Sequence, residues 1–210
     1  MRRIPSVSAF KGKLIHPQFW PEDYDYTGQK VVVIGSGATA VTVVPSMTDR
    51  AAHVTMLQRT PTWYGIRPRH DRFSNIMRRA LPAKWAHWLN REKAQLLHEF
   101  LLHRARSRPE GVANVLTKMT KAELGDKWNE ADFTPPYRPW EQRLCLVPDG
   151  DMFKAIREGH ASVVTGVIKK VTKDGIELTD GRKLEADVIV TATGLRLATL
   201  GKVKVSLDGQ

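Results

Sequence analysis

The run VVVIGSGATA, Val31 to Ala40, constrains this chain more than any other stretch of its 210 residues. Four successive β-branched residues read as a strand buried on both faces, since such side chains suit the pleat and leave no polar face for water. The strand ends on glycine. ATAVTVVPSMTDR (38–50) follows with small and apolar residues at helical spacing, and HVTMLQRT (53–60) reads as a second strand, which completes a βαβ unit. Gly35, Gly37 and Ala40 form GxGxxA in this strand–turn–helix setting. The first glycine permits the tight turn, the second lets a pyrophosphate approach the backbone, and the small third residue lets helix and strand pack closely. Ser36, Ala38 and Thr39 complete the candidate cofactor-binding loop, whose helix N-terminus would offer free N–H groups to the phosphates. The competing reading is a turn with a purely structural role.

The end of the second strand bears on which dinucleotide fits. An NAD site carries Asp or Glu about 20 residues past the first glycine, where it accepts hydrogen bonds from the ribose 2′-hydroxyl. Here that place reads Leu57-Gln58-Arg59-Thr60. A guanidinium and a hydroxyl at Arg59 and Thr60 suit a 2′-phosphate, so NADPH is expected over NADH. Arg59 as a solvated strand-end residue is the alternative.

Beyond this unit the pattern changes. Residues 61–136 carry helix signals rich in Arg, Trp and Leu, with Trp85, Trp88, Leu89, Leu96, Leu97, Phe100 and Leu101 in an imperfect stripe that Pro109 and Gly111 are expected to close. α/β character then returns, with a short strand around 144–147 and a helix over 150–157. The last third is β-rich, with turn pairs at Asp174-Gly175 and Asp180-Gly181 and a closing strand over 187–194. The expected fold is α/β: a Rossmann-like dinucleotide-binding domain with a small β-meander and a helical insertion over 63–136.

Composition narrows the function classes. Cys145 is the single cysteine, which excludes an internal disulfide and a cysteine-based metal site, and its apolar strand makes it a core residue. His87, His98 and His103 form no pair facing an acid at helical spacing, so no metal site is expected. No apolar run reaches about 18 residues, and the N-terminal stretch lacks the apolar segment of a signal peptide, so a cytoplasmic protein is expected. The formal charge is +11, and residues 63–131 hold 14 Lys and Arg against 7 Asp and Glu. With no RNA-binding aromatic motif or zinc-finger spacing, nucleic acid is not an expected partner. Aromatic and basic residues over 80–108 allow contact with a membrane surface, or a subdomain packed on the nucleotide domain.

The segment FKGKLIHPQFWPED (10–23) has no strand or helix period and reads as an ordered loop. Its pattern, Phe10-x-Gly12-x-x-x-His16-x-x-x-Trp20-Pro21, resembles the fingerprint of Baeyer–Villiger monooxygenases, with every fixed position present. QRT (58–60) is similar to that family's NADPH 2′-phosphate segment, PWEQRLCLVPDGDMF (139–153) to the region of its active-site arginine, and TATG (191–194) to its closing strand. The wording of 31–41 and 53–62 is similar to the actinobacterial branch that includes the ethionamide-activating enzymes.

The resemblance implies an FAD-dependent enzyme reduced by NADPH, in which O2 forms a C4a-peroxyflavin that inserts oxygen beside a ketone or oxidises a sulfur or nitrogen atom of a small-molecule substrate. It makes Arg143 a catalytic residue that stabilises the peroxide anion; an ion pair at a strand start is the alternative. It gives His16 a functional part in coupling domain movement to the flavin, and Gln142, Thr193 and Gly194 a part in cofactor binding. Gln142 stands where the wider family often has lysine. The resemblance implies a linker over 1–28, nucleotide-domain segments over 29–62 and 137–197, and the start of a flavin-side segment over 198–210. The family's first GxGxxG and its C-terminal part have no counterpart, so the chain alone is expected to hold no full complement of FAD and to be inactive. Other readings are a catalytically inactive nucleotide-binding module and the pyridine-nucleotide domain of another flavoprotein with two dinucleotide sites.

Overall fold

A computed structural model describes residues 5–194 together with 201, 203 and 206. Its elements run β1 (Lys13–Ile15), β2 (Lys30–Ile34), α1 (Ala38–Met47), β3 (His53–Gln58), β4 (Trp63–Arg67), α2 (Arg72–Ala80), α3 (Ala83–Ser107) and α4 (Pro109–Leu124). They continue with α5 (Glu130–Phe133), β5 (Leu144–Pro148), α6 (Asp151–Arg157), β6 (Ala161–Thr165), β7 (Ile168–Thr172), β8 (Gly175–Leu178), β9 (Lys183–Glu185) and β10 (Val188–Thr191).

A five-stranded parallel sheet in the order β1-β10-β2-β3-β6 forms the centre. Strand β2 is buried on both faces because its side chains alternate between two cores. Val31 and Val33 face a core built with Val41, Val44 and Met47 of α1 and Phe153 and Ile156 of α6, which Val147 of β5 joins. Val32 and Ile34 face a second core with Val171, Ile176 and Leu178 of the antiparallel β7–β8–β9 meander. Burial on both sides is what lets a short run of valines hold a central strand without any polar face. The chain therefore has three layers, and its fold is a Rossmann-like α/β domain with a small meander, as the sequence implies.

Three local readings change. The 10–23 segment, expected to be a loop, contributes β1, which pairs with β10 from Lys13↔Val188 to Ile15↔Val190. Three residues are too few to show a period. Gly12 explains part of the motif there: a Cβ on it would lie 2.2 Å from the Asp187 carbonyl oxygen and 2.6 Å from the Phe10 ring, so only glycine lets β1 enter beside β10. The 63–136 insertion begins with a strand, because Trp63–Arg67 pairs in parallel with β5 in a two-stranded ribbon. Pro109 ends α3 as expected, since the residue before a proline is pushed off the helical backbone and α3 stops at Ser107. It also opens α4 as its first residue, where a missing N–H costs nothing, and Gly111, expected to help close the helix, lies inside α4. The expected 198–210 segment lies almost wholly outside the described residues.

Candidate functional site

The sheet's carboxyl edge gathers most of the residues singled out in the sequence. β2 ends at Gly35, whose N–H donates to the Leu57 carbonyl at 2.9 Å and whose φ of +137° is one that side-chain-bearing residues rarely adopt. A Cβ on Gly35 would lie 2.4 Å from the Ala192 carbonyl oxygen, so the end of β10 closes tightly on this turn. Gly37 differs in kind. Its backbone is ordinary extended chain at the N-cap of α1, and a Cβ there would meet nothing within 4 Å. The space in front of Gly37 is open, and no side chain caps the helix. The N–H groups of Ala38, Thr39 and Ala40 thus lack intrahelical acceptors, while Ala40 itself is fully buried against the sheet.

Neighbouring strands complete the edge. Thr193 and Gly194 follow β10 on one side of β2, and Arg59 and Thr60 follow β3 on the other. Arg59 and Thr193 are exposed. Among the described residues no carboxylate forms an ion pair with Arg59 or Arg143, which leaves two uncompensated guanidiniums beside the glycine loop.

Arg143 comes from the start of β5, 107 residues from the loop in sequence, and its Nη2 donates to Ser36 Oγ at 3.4 Å. Ser36 is a junction. Its Oγ also accepts from Thr62 Oγ1 at 3.0 Å, and its carbonyl accepts from the Cys145 thiol at 3.5 Å. A hydroxyl that accepts two hydrogen bonds keeps its own proton free to donate outward. Burial pushes the Cys145 thiol up, with the Arg143 charge acting in the opposite sense, so this cysteine is a packing residue. The Tyr137 hydroxyl donates to the Pro61 carbonyl at 3.1 Å and lies 3.4 Å from that of Arg143, and its own carbonyl accepts from Trp63 Nε1 at 2.8 Å. Thr62, Tyr137 and Trp63 thereby hold Arg143 against the loop. Sequence reasoning missed all three, because their partners are hydroxyls and carbonyls that many side chains could have met.

His16 and Gln142 stand apart. His16 lies beyond β1, two strands from the glycine loop, and its Nδ1 accepts from the Gln18 N–H at 3.2 Å while its ring leans on Phe19 at 5.9 Å between centroids. Gln142 is exposed and lines a cavity between α3, α4 and the β4–β5 ribbon, where Arg143 also contributes. Trp140 closes one side of that cavity against His98 at 6.3 Å between ring centroids, from a backbone φ of 70° that is strained for a residue with a side chain. The stripe on the outer face of α3 is exposed: Trp85 and Trp88 stack edge to face, and Glu92 and Glu99 share their side of the helix. No helix among the described residues is long and apolar enough to cross a membrane. No group of three or more His, Cys, Asp or Glu among them could hold a metal ion.

Comparison with known proteins follows the same lines. The family described as flavin-binding monooxygenase-like matches residues 1–200. The probable FAD-binding monooxygenase AlmA of Acinetobacter baylyi is 47% identical over 208 residues, 99% of this chain and 42% of that protein. The FAD-containing monooxygenase EthA of Mycolicibacterium smegmatis is 47% identical over 209 residues, again 99% of this chain and 42% of that protein. This chain thus spans under half the length of these relatives. Among solved structures, an oxidised steroid monooxygenase bound to NADP superposes with a TM-score of 0.68 at 18% identity, over 91% of this chain and 43% of that one. A cyclohexanone monooxygenase bound to ε-caprolactone gives 0.66 at 20% identity, over 93% and 46%. At such identities the structural likeness speaks for the fold alone.

Proposed function

The chain belongs to the flavin-binding monooxygenase-like family, and from that premise we propose that its 210 residues are the NADPH-binding portion of an FAD-dependent monooxygenase of Baeyer–Villiger type. The observation that carries this reading is the open, uncapped start of α1 behind Gly37, with Arg143, just before β5, reaching Ser36 of the same loop.

A pyrophosphate fits what the loop offers. The N–H groups at the start of α1 donate to it, the Ser36 hydroxyl has a proton left for it, and the helix end adds a partial positive charge. Arg59 and Thr60 receive the 2′-phosphate of NADPH; Thr193 and Gly194 border the same nucleotide, while Gln142 faces the neighbouring cavity. Bound there, the dinucleotide supplies a hydride, and the FAD of such enzymes supplies the oxygen chemistry that acts on a ketone or a sulfur or nitrogen atom. Arg143 holds a fixed positive charge at the junction of loop and cavity, suited to stabilising negative charge that develops near it. His16 acts through the β1 end of the sheet as a positioning residue.

Gly37→Val tests the loop directly. The backbone at this position suits valine and its Cβ meets open space, so the fold is expected to keep its melting temperature within a few degrees. The branched side chain then occupies the approach to the N–H groups. Calorimetry should find one NADPH bound per wild-type chain and binding weakened by about a hundredfold or more in the variant. Unchanged affinity in a folded Gly37→Val chain would refute the site.

A further inference from the structure

We propose that the groove between α3, α4 and the β4–β5 ribbon binds an amphipathic carboxylate, an apolar chain that ends in an anionic head, and that such molecules, where the chain carries a ketone or a sulfur or nitrogen atom, are the substrate class of the whole enzyme. As a binding site the groove stands on its own geometry; as a substrate assignment it rests on the monooxygenase reading.

The cavity has a volume of about 1040 Å3, the upper end of the range usual for small-molecule sites. Helices α3 and α4 run as a hairpin reversed at Arg108-Pro109. The α3 wall presents Leu97 and Leu101, the α4 wall Val115 and Met119, and the ribbon Leu146. These are not core residues: Val115 is 56% exposed and Leu146 52%. An apolar surface of this extent inside a concave site is covered by an apolar ligand at a gain proportional to the area removed from water.

Charge selects the head group. Arg67, Arg104, Arg108 and Arg143 all line the cavity, and no Asp or Glu does. None of the four makes an ion pair with a described residue, although elsewhere on this surface arginines such as Arg69 and Arg182 do. Arg104 and Arg108 lie one turn apart at the closed end of the helix hairpin, a spacing that lets both guanidiniums meet one carboxylate. Arg143 lies at the same end, where Trp63 stands beside both Pro109 and Leu144, and it touches Ser36 of the glycine loop. A carboxylate held at Arg104 and Arg108 would lie at the Arg143 end of the groove, with its chain running along the leucines toward Arg67.

The test is calorimetric titration of the full 210-residue chain with dodecanoate and with dodecanol, both below their aggregation limits. The expected result is one saturable site for dodecanoate and affinity for dodecanol lower by about tenfold or more. The variant Arg104→Gln/Arg108→Gln should lose that preference and bind the two alike. Leu101→Asp, which sets a carboxylate among the apolar walls, should abolish binding of dodecanoate. All three positions are exposed, so the variants are expected to fold, and retained NADPH binding reports that they do. Equal affinities in the wild type, no saturable site, or indifference to Leu101→Asp would each overturn the proposal. So would a wild-type dimer that Leu101→Asp dissociates and dodecanoate does not touch, for then a second copy covers the groove. NADPH binding without dodecanoate binding refutes the groove alone, whereas dodecanoate binding without NADPH binding refutes the functional reading and leaves the groove.

Discussion

Gly35 and Gly37 belong to one motif and do opposite physical work. Gly35 is required by the protein itself: its φ of +137° and the Ala192 oxygen, which would lie 2.4 Å from any Cβ there, leave no room for a side chain. Gly35→Ala should destabilise the domain by about 2 kcal/mol or more, read as a fall in melting temperature, whether or not nucleotide is present. Gly37 is required by nothing in the protein, and its value lies in the open space in front of it. A Gly35→Ala chain as stable as the wild type, or a Gly37→Val chain that fails to fold, would break this division. Both glycines were legible in the sequence, since spacing after a β-branched run encodes them. The Thr62, Tyr137 and Trp63 contacts that seat Arg143 were not, because hydrogen bonds between residues 26, 74 and 76 apart leave no local pattern.

At the scale of elements, the strands and turns that carry strong local rules were legible and those that rest on tertiary pairing were not. Asp174-Gly175 and Asp180-Gly181 do stand at the two turns of the β7–β8–β9 meander. Strand β4, by contrast, exists because β5 lies beside it, and its sequence WYGIR offers neither alternation nor a β-branched run. The long apolar stripe of α3, which suits either a membrane surface or packing on the nucleotide domain, is largely exposed, and only the side toward α4 and the ribbon shapes the groove. Helix α2 is tied to α3 through Asp71, which caps it by accepting from the Ser74 N–H at 3.2 Å and pairs with Lys93. The Lys93 partnership and the Ser74 N–H hold the Asp71 carboxyl down to about 2. A carboxyl depressed in the folded state stabilises it fully above its ordinary range and loses that contribution as pH falls through the depressed value. The melting-temperature advantage of the wild type over Asp71→Asn should thus be full near neutrality and shrink as pH falls from about 4 toward 2. A constant advantage across that window would mean that charge plays no part in the tie.

For the molecule as a whole, one glycine loop of this kind occurs in the 210 residues, and one helix start serves one pyrophosphate. The purified chain is therefore expected to carry no stoichiometric flavin and to oxidise NADPH no faster than a blank. A yellow preparation with one flavin per chain would contradict that. The sheet's carboxyl edge, the two uncompensated arginines beside it and the open start of α1 all suit one anionic dinucleotide at that edge. The most direct measurement is a paired calorimetric titration with NADPH and NADH on the wild type and on Arg59→Ala. The account predicts NADPH binding tighter than NADH by about tenfold to a hundredfold in the wild type, and near-equal affinities once the guanidinium is gone. Equal affinities in the wild type, or a preference that survives Arg59→Ala, would contradict it.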